Sequence, residues 1–179
     1  MRLFDGLGTV SAAKGLVREL AGFAATVDPD AGFASFIAGF TGPPITSEKQ
    51  FETLLWRQLR LVHAFDTQAW NPQVASDPAS QHFSFSVAGT AFFVVGMHPG
   101  ASRLAHQAQL PVLAFNLHSQ FQRLRDEGRF EGFRDTIRRR DVKLQGSVNP
   151  MLANHGEITE ARQYSGRAVE DDWAAPFLP

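Results

Sequence analysis

The residue order predicts an α+β (mixed α/β) fold in a single domain spanning residues 1–179, with a small sheet that carries an antiparallel hairpin and is flanked by helices. Three observations predict it. Apolar residues recur at helical spacing from Phe51 to Phe65, Phe83, Phe85 and Val87 alternate with Ser84 and Ser86, and an unbroken apolar run follows over 91–97. The first has a period of 3.6, the second a period of 2, and the third suits a strand buried on both faces.

The first 44 residues form the less defined part, rich in Ala, Gly and Phe. Leu16, Leu20 and Phe23 fall at helical spacing, and Phe33, Phe36, Ile37 and Phe40 do so again, which predicts two short helices. Thr41-Gly42-Pro43-Pro44 breaks the pattern. Ser47 and Gln50 have the spacing of a capping box, and the stripe Phe51, Leu54, Leu55, Leu59, Val62 and Phe65 predicts a helix to about residue 64. Turn residues follow, through Asn71-Pro72 and Asp77-Pro78, to Ser80. A half-buried strand is expected over 82–89 and a central strand over 91–97, with Gly89-Thr90 as the turn between them. A short helix over 101–109, a strand over 112–116 and helices over 119–127 and 131–141 complete the predicted elements. From Leu144 onward the pattern dissolves into turns.

Composition sets limits on function. Hydrophobic residues make up 44% of the chain and the formal net charge is −1, which argues against a strongly cationic nucleic-acid binder. No run approaches the roughly 18–20 apolar residues of a membrane span, and the charged N-terminus lacks an export segment, so a cytoplasmic address is expected. Cysteine is absent, which removes disulfides, thiolate-ligated haem and iron–sulfur clusters. Sixteen Phe against one Tyr predict a core lined with rings that carry no hydroxyl. No phosphate-binding loop, zincin or nucleophile-elbow motif occurs, and Arg138-Arg139-Arg140, diluted by neighbouring acids, reads as a solvated helix face.

Two histidines stand at predicted strand ends. His98 follows the apolar run and precedes Pro99-Gly100, and His118 opens a predicted helix, whose dipole favours a neutral imidazole. Either suits ligation or base chemistry, and either suits a satisfied structural histidine. The densest polar segment, 146–167, gathers Asn149, His155, Glu157, Glu160, Arg162, Gln163, Tyr164, Ser165 and Arg167. It reads as a solvated coil or as a binding loop packed on the domain, the second reading directing Arg162, Tyr164 and Arg167 to a pocket shared with His98 or His118.

The strings His98-Pro-Gly-Ala-Ser-Arg103, Phe115-Asn-Leu-His118, Leu144-Gln-Gly-Ser-Val-Asn-Pro-Met-Leu152 and Glu160-Ala-Arg-Gln-Tyr-Ser-Gly-Arg167 resemble the YqcI/YcgG family. Leu55-Trp56, Asp66, Trp70, Asp77-Pro78 and Phe83-Ser-Phe-Ser86 fit as well, so the resemblance covers about residues 51–177. The sequence departs from the pattern at Ala174-Ala175-Pro176-Phe177, where a cysteine is expected before Pro-Phe. A cysteine-bearing N-terminal segment is also missing.

The resemblance implies a haem-dependent N-oxygenase, a monooxygenase acting on guanidine or amine nitrogens of small amino-acid-derived substrates. It would carry haem b (iron) and be served by an electron donor. A non-catalytic haem or small-molecule binding protein is the alternative, and a cofactor-free interaction module is the third. Nucleic acid and membrane are not expected partners, and a homodimer is compatible with the reading. On it, His98 is the expected iron ligand and Arg103, Arg162 and Arg167 meet propionates or substrate carboxylate. His118 and Tyr164 are the expected catalytic side chains, with His118 as the alternative ligand.

Overall fold

In the computed structural model, residues 1–28, 32–151 and 158–179 are described. The elements run β1 (Arg2–Phe4), α1 (Val10–Thr26), β2 (Ser35–Phe40), α2 (Glu48–Phe65), β3 (Phe85–Val87), β4 (Thr90–Met97), a 3-10 turn (Leu104–His106), β5 (Val112–Leu117), α3 (His118–Asp126), α4 (Phe130–Gln145) and a second 3-10 turn (Glu160–Gln163). Five strands order as β1-β2-β5-β4-β3. The β1–β2 pair is parallel and the others are antiparallel. The fold is thus α+β, as expected, and none of the described helices is long and apolar enough to cross a membrane.

Caps that the sequence advertises are in place. Ser47 Oγ accepts the Gln50 N–H at 3.1 Å, and Gln50 Oε1 reaches back to the Thr46 N–H at 2.6 Å, one residue earlier than a standard capping box. Thr9 Oγ1 accepts the Ala12 N–H at 3.2 Å and starts α1. The hairpin pairs Phe85 with Phe92 and Val87 with Thr90. Its turn is Ala88-Gly89, both at positive φ, the two-residue geometry that matches strand twist. Thr90 therefore belongs to β4 and not to the turn.

Three expectations are corrected. The segment expected as a second helix is β2: Phe33, Phe36, Ile37 and Phe40 satisfy a helical period, but Phe36, Ala38 and Phe40 are buried in strand alternation and pair with β1 and β5. Residues 101–109 form only the 3-10 turn at 104–106. Their backbone groups are claimed elsewhere, the Ser102 N–H by Glu48 Oε1 and the Ala101 carbonyl by the Gln107 side chain. Finally, Ser84 and Ser86 are as buried as Phe83 and Phe85, so β3 is covered on both faces.

The core lies between one sheet face and the α1–α2 pair. Phe92 and Val94 of β4 point into it, together with Leu16, Leu20, Phe40, Phe51, Leu55 and Phe115, all essentially inaccessible. At about 1.5–3 kcal/mol for each large apolar side chain, this layer dominates the stability. Gly96 sits on the same face because a Cβ there would meet Phe51 Cε1 at 2.6 Å and the Tyr164 carbonyl oxygen at 2.7 Å.

Candidate functional site

The alternating β4 residues Phe93, Val95 and Met97, with Ile37 of β2, face the other way and stay half-exposed. Over this second face come α3 and α4. Phe121 of α3 meets Phe93 edge-on at 5.9 Å, and Phe133 of α4 stacks on Phe33 at 5.2 Å. The far end of α4 is tied beyond the end of β4, where Gln145 Oε1 accepts the Leu104 N–H at 2.7 Å and Asp141 pairs with Arg103 at 2.6 Å. Between these ties Asp141 is the one buried side chain of the helix, while Ile137, Val142 and Leu144 are exposed. Two cavities flank α4. One, of about 220 Å³, is lined by His106, Ile137, Arg140, Leu144 and Asn149 among others. The other, of about 550 Å³, lies by Phe33, Arg129 and Phe133 and shares Ile137 and Arg140.

The histidines differ in what their ring nitrogens face. His98 is buried against Phe51, with ring centroids 4.4 Å apart. Its Nδ1 accepts the Gly100 N–H at 3.2 Å, so the proton of the neutral ring sits on Nε2. Burial holds its pKa below the ordinary value, Glu48 opposing and His106 assisting. His106 is the converse. Its Nδ1 lies 2.9 Å from the Gly96 carbonyl oxygen, which can only accept. The proton is therefore on Nδ1 and the Nε2 lone pair has no partner among the described residues, the tautomer that metal-ligating imidazoles adopt. The ring is held in place by Gly166, where a Cβ would come within 2.5 Å of Nδ1. His118, half-buried, opens α3 as expected and is engaged with a neighbouring group.

The C-terminal segment packs beside β4 where β3 has ended, and the Gly96 N–H donates to the Tyr164 carbonyl at 2.7 Å. Tyr164 is fully buried and stacked on Trp56. Its hydroxyl lies between the last paired residues of the hairpin, accepting the Phe85 N–H at 3.1 Å and lying 3.3 Å from the Phe92 carbonyl oxygen. It stands 2.5 Å from Glu160 Oε1. Burial pushes the enclosed Glu160 carboxyl up to about 8, against the opposing pull of Tyr164, Ser84 and Arg125. Protonated Glu160 then donates to the Tyr164 oxygen, freeing the Tyr164 hydrogen for the Phe92 carbonyl, and every partner of that hydroxyl is satisfied. Burial and the adjacent Glu160 raise the Tyr164 pKa well above its ordinary value, so it stays neutral. Ser84 Oγ lies beside the pair without a hydrogen bond of good geometry.

The arginines expected at a cofactor are engaged by the protein itself. Arg103 holds Asp141 and Ser147. Arg167 pairs with buried Glu52 of α2 at 2.9 Å and with Glu170 at 3.0 Å. Arg162 donates to the carbonyls of Glu170, Asp171 and Trp173. Arg140 makes no hydrogen bond or ion pair among the described residues. His155 and Glu157 lie outside the described residues, and no cluster of three metal-ligating side chains occurs within them. Sequence reasoning read Arg140 as part of a solvated helix face, set His106 aside because its spacing from His98 matches no zinc-ligand pattern, and passed over Glu52. Only tertiary placement distinguishes them from solvated residues, so no local signal could have found them.

A histidine-held haem, were one bound beside α4, would find its contacts among these residues. They offer an imidazole with Nε2 available, apolar lining from Ile137 and Leu144, and the Arg140 guanidinium for a propionate. Comparison with known proteins finds that the model of the YqcI/YcgG family matches residues 1–178. No curated protein and no solved structure matches the chain.

Proposed function

The chain belongs to the YqcI/YcgG family, and we propose that it is a cytoplasmic haem-dependent oxygenase that hydroxylates a guanidine or amine nitrogen of a small amino-acid-derived substrate, its haem b iron held by His106. The observation that carries this placement is the orientation of His106. Its Nδ1–H is spent on the Gly96 carbonyl, its ring is braced by Gly166, and its remaining lone pair belongs to a side chain lining an apolar cavity. His98 as the ligand would require the Nδ1–Gly100 hydrogen bond to be given up, because iron on Nε2 moves the proton to Nδ1.

When bound, haem supplies the oxygen activation, with electrons from an external donor. The chain supplies the surroundings. Arg140 offers a bidentate donor to a propionate or a substrate carboxylate. Ile137 and Leu144 give the smaller cavity its apolar lining. Tyr164 and Glu160 brace the segment that carries Gly166, and through it the orientation of His106.

Purified protein is to be loaded with hemin and its absorption spectrum recorded for the wild type and for His106→Ala, His98→Ala and His118→Ala, each checked for folding by circular dichroism. The expected result is a sharp Soret band that collapses in His106→Ala alone. A band lost only in His98→Ala or His118→Ala moves the iron to that residue, and no band in the wild type ends the haem reading. With a reductant, oxygen and L-arginine as probe, loaded protein should yield a product heavier by one oxygen atom.

A further inference from the structure

A 16-residue helix normally buries an apolar stripe, which is where most of its stability in a protein comes from. Helix α4 does so only near its start, where Phe130 and Phe133 are half-buried and Phe133 stacks on Phe33. Its one fully buried side chain is the carboxylate Asp141, and Ile137, Val142 and Leu144 remain exposed. Its two ends are bounded by Gly128 and Gly146, at φ 65° and 79°. Neither has any atom within 4 Å of a Cβ position among the described residues, so the glycines themselves are uncrowded, and the contact that spans the first joint is the Arg125 guanidinium over the Phe130 ring at 4.8 Å. Both cavities of the proposed site have α4 residues in their walls.

We infer that α4 is a lid: a rigid helix between two glycine hinges, fastened shut by Arg103 and opening to admit ligand to the cavities beside it. Arg103 is the fastening because it grips the lid on both sides of the second hinge. It meets Asp141 Oδ1 at 2.6 Å before Gly146, and the Ser147 hydroxyl and carbonyl at 3.0 and 2.7 Å after it. Asp141 Oδ2 also accepts the Asn149 N–H at 2.6 Å. Gln145 adds two bonds to the same anchor, to the Leu104 N–H and the Ser102 carbonyl. The Arg103–Asp141 pair is largely shielded, with side chains 11% and 7% exposed. Losing one partner strands a charge, so such a latch holds firmly until it is broken. What enters rests on the haem reading; the motion itself does not.

Two measurements test the lid. Hydrogen exchange on the full-length, haem-free protein should show the amides of α4 exchanging as one block, faster than those of β4 and β5 by about a hundredfold or more. Asp141→Asn should speed that block at least about tenfold and leave β4 and β5 unchanged. Exchange of α4 at the rate of β4 and β5, or equal acceleration of all three by Asp141→Asn, overturns the proposal. Since the chain has no cysteine, Leu104→Cys with Gln145→Cys creates a single disulfide that closes the lid. Oxidised, this variant should take up hemin at least about tenfold more slowly than the same protein after reduction. Uptake at the same rate in both states, with the disulfide verified by mass, overturns the lid. Should wild-type protein take up no hemin, the haem reading falls, and hydrogen exchange alone decides the lid.

Discussion

Glu160 makes stability fall as pH rises, a dependence that one substitution removes. In the native state its carboxyl titrates at about 8, while the unfolded chain has an ordinary value of 4.5. Between these values the native protein holds one proton more than the unfolded chain. Stability is therefore greatest below pH 4.5 as far as this group is concerned, declines up to pH 8 and is flat above it. At about 1.4 kcal/mol per pH unit, the whole window costs roughly 5 kcal/mol, of which about 2.7 kcal/mol falls between pH 6 and pH 9. The groups facing the carboxyl are Tyr164, Ser84 and Arg125, whose pull is already contained in the shifted value.

Urea unfolding of the wild type and of Glu160→Gln at pH 6 and pH 9 measures the effect. Glutamine keeps the shape and stays neutral, so the variant should lack this drop, while the wild-type midpoint falls by about 1.4 M for a slope near 2 kcal/mol/M. Subtracting the two curves cancels the histidines common to both. Parallel pH dependences in wild type and variant would refute the assignment of a buried, protonated carboxyl at this position.

Gly166→Ala should dislodge the His106 ring, since the new methyl would sit 2.5 Å from Nδ1 and the backbone φ is +75°. The measurable result is a weakened or shifted Soret band in hemin-loaded protein, comparable to His106→Ala, while a spectrum identical to wild type would remove Gly166 from any role in orienting the ring. Tyr164→Phe leaves the Phe85 N–H and the Glu160 carboxyl without their shared partner in a dry site, and should cost about 1–3 kcal/mol in thermal or urea unfolding.

How much was legible in the sequence depended on how far apart the deciding residues lie. Helix α2 and the β3–β4 hairpin could be read because cap, stripe and turn are local. Strand β2 could not, because Phe33, Phe36, Ile37 and Phe40 satisfy a helical period and its β5 partner lies far along the chain, Ser35 opposite Asn116. Within 101–109 the side chains of Glu48 and Gln107 claim backbone groups that a helix would need. The 146–167 segment was visible as a polar concentration, yet the partner of Arg167 is Glu52, which with Gln58 is one of two polar residues among the buried positions of α2. His98 and His106 differ in tautomer because a backbone N–H faces one ring and a backbone carbonyl the other, a difference that spacing does not encode.

Among the polar groups of the interior the protein pairs its charges and leaves several neutral groups, including Gln58 Nε2 and Ser84 Oγ, without a partner among the described residues. Charges that would be costly alone are paired: Glu52 with Arg167, Asp141 with Arg103. The indole N–H groups of Trp56 and Trp70 are unpaired, but they are single weakly polar edges set in the aromatic packing around Phe177. On the other side of the sheet the described residues leave the lone pair of His106 and the Nε–H of Arg125 without a protein partner, and Arg140 presents its guanidinium to solvent beside His106. A lone pair and a guanidinium bind opposite things, a Lewis acid and an anion. On the haem reading proposed above, a metal chelate carrying carboxylates would meet both.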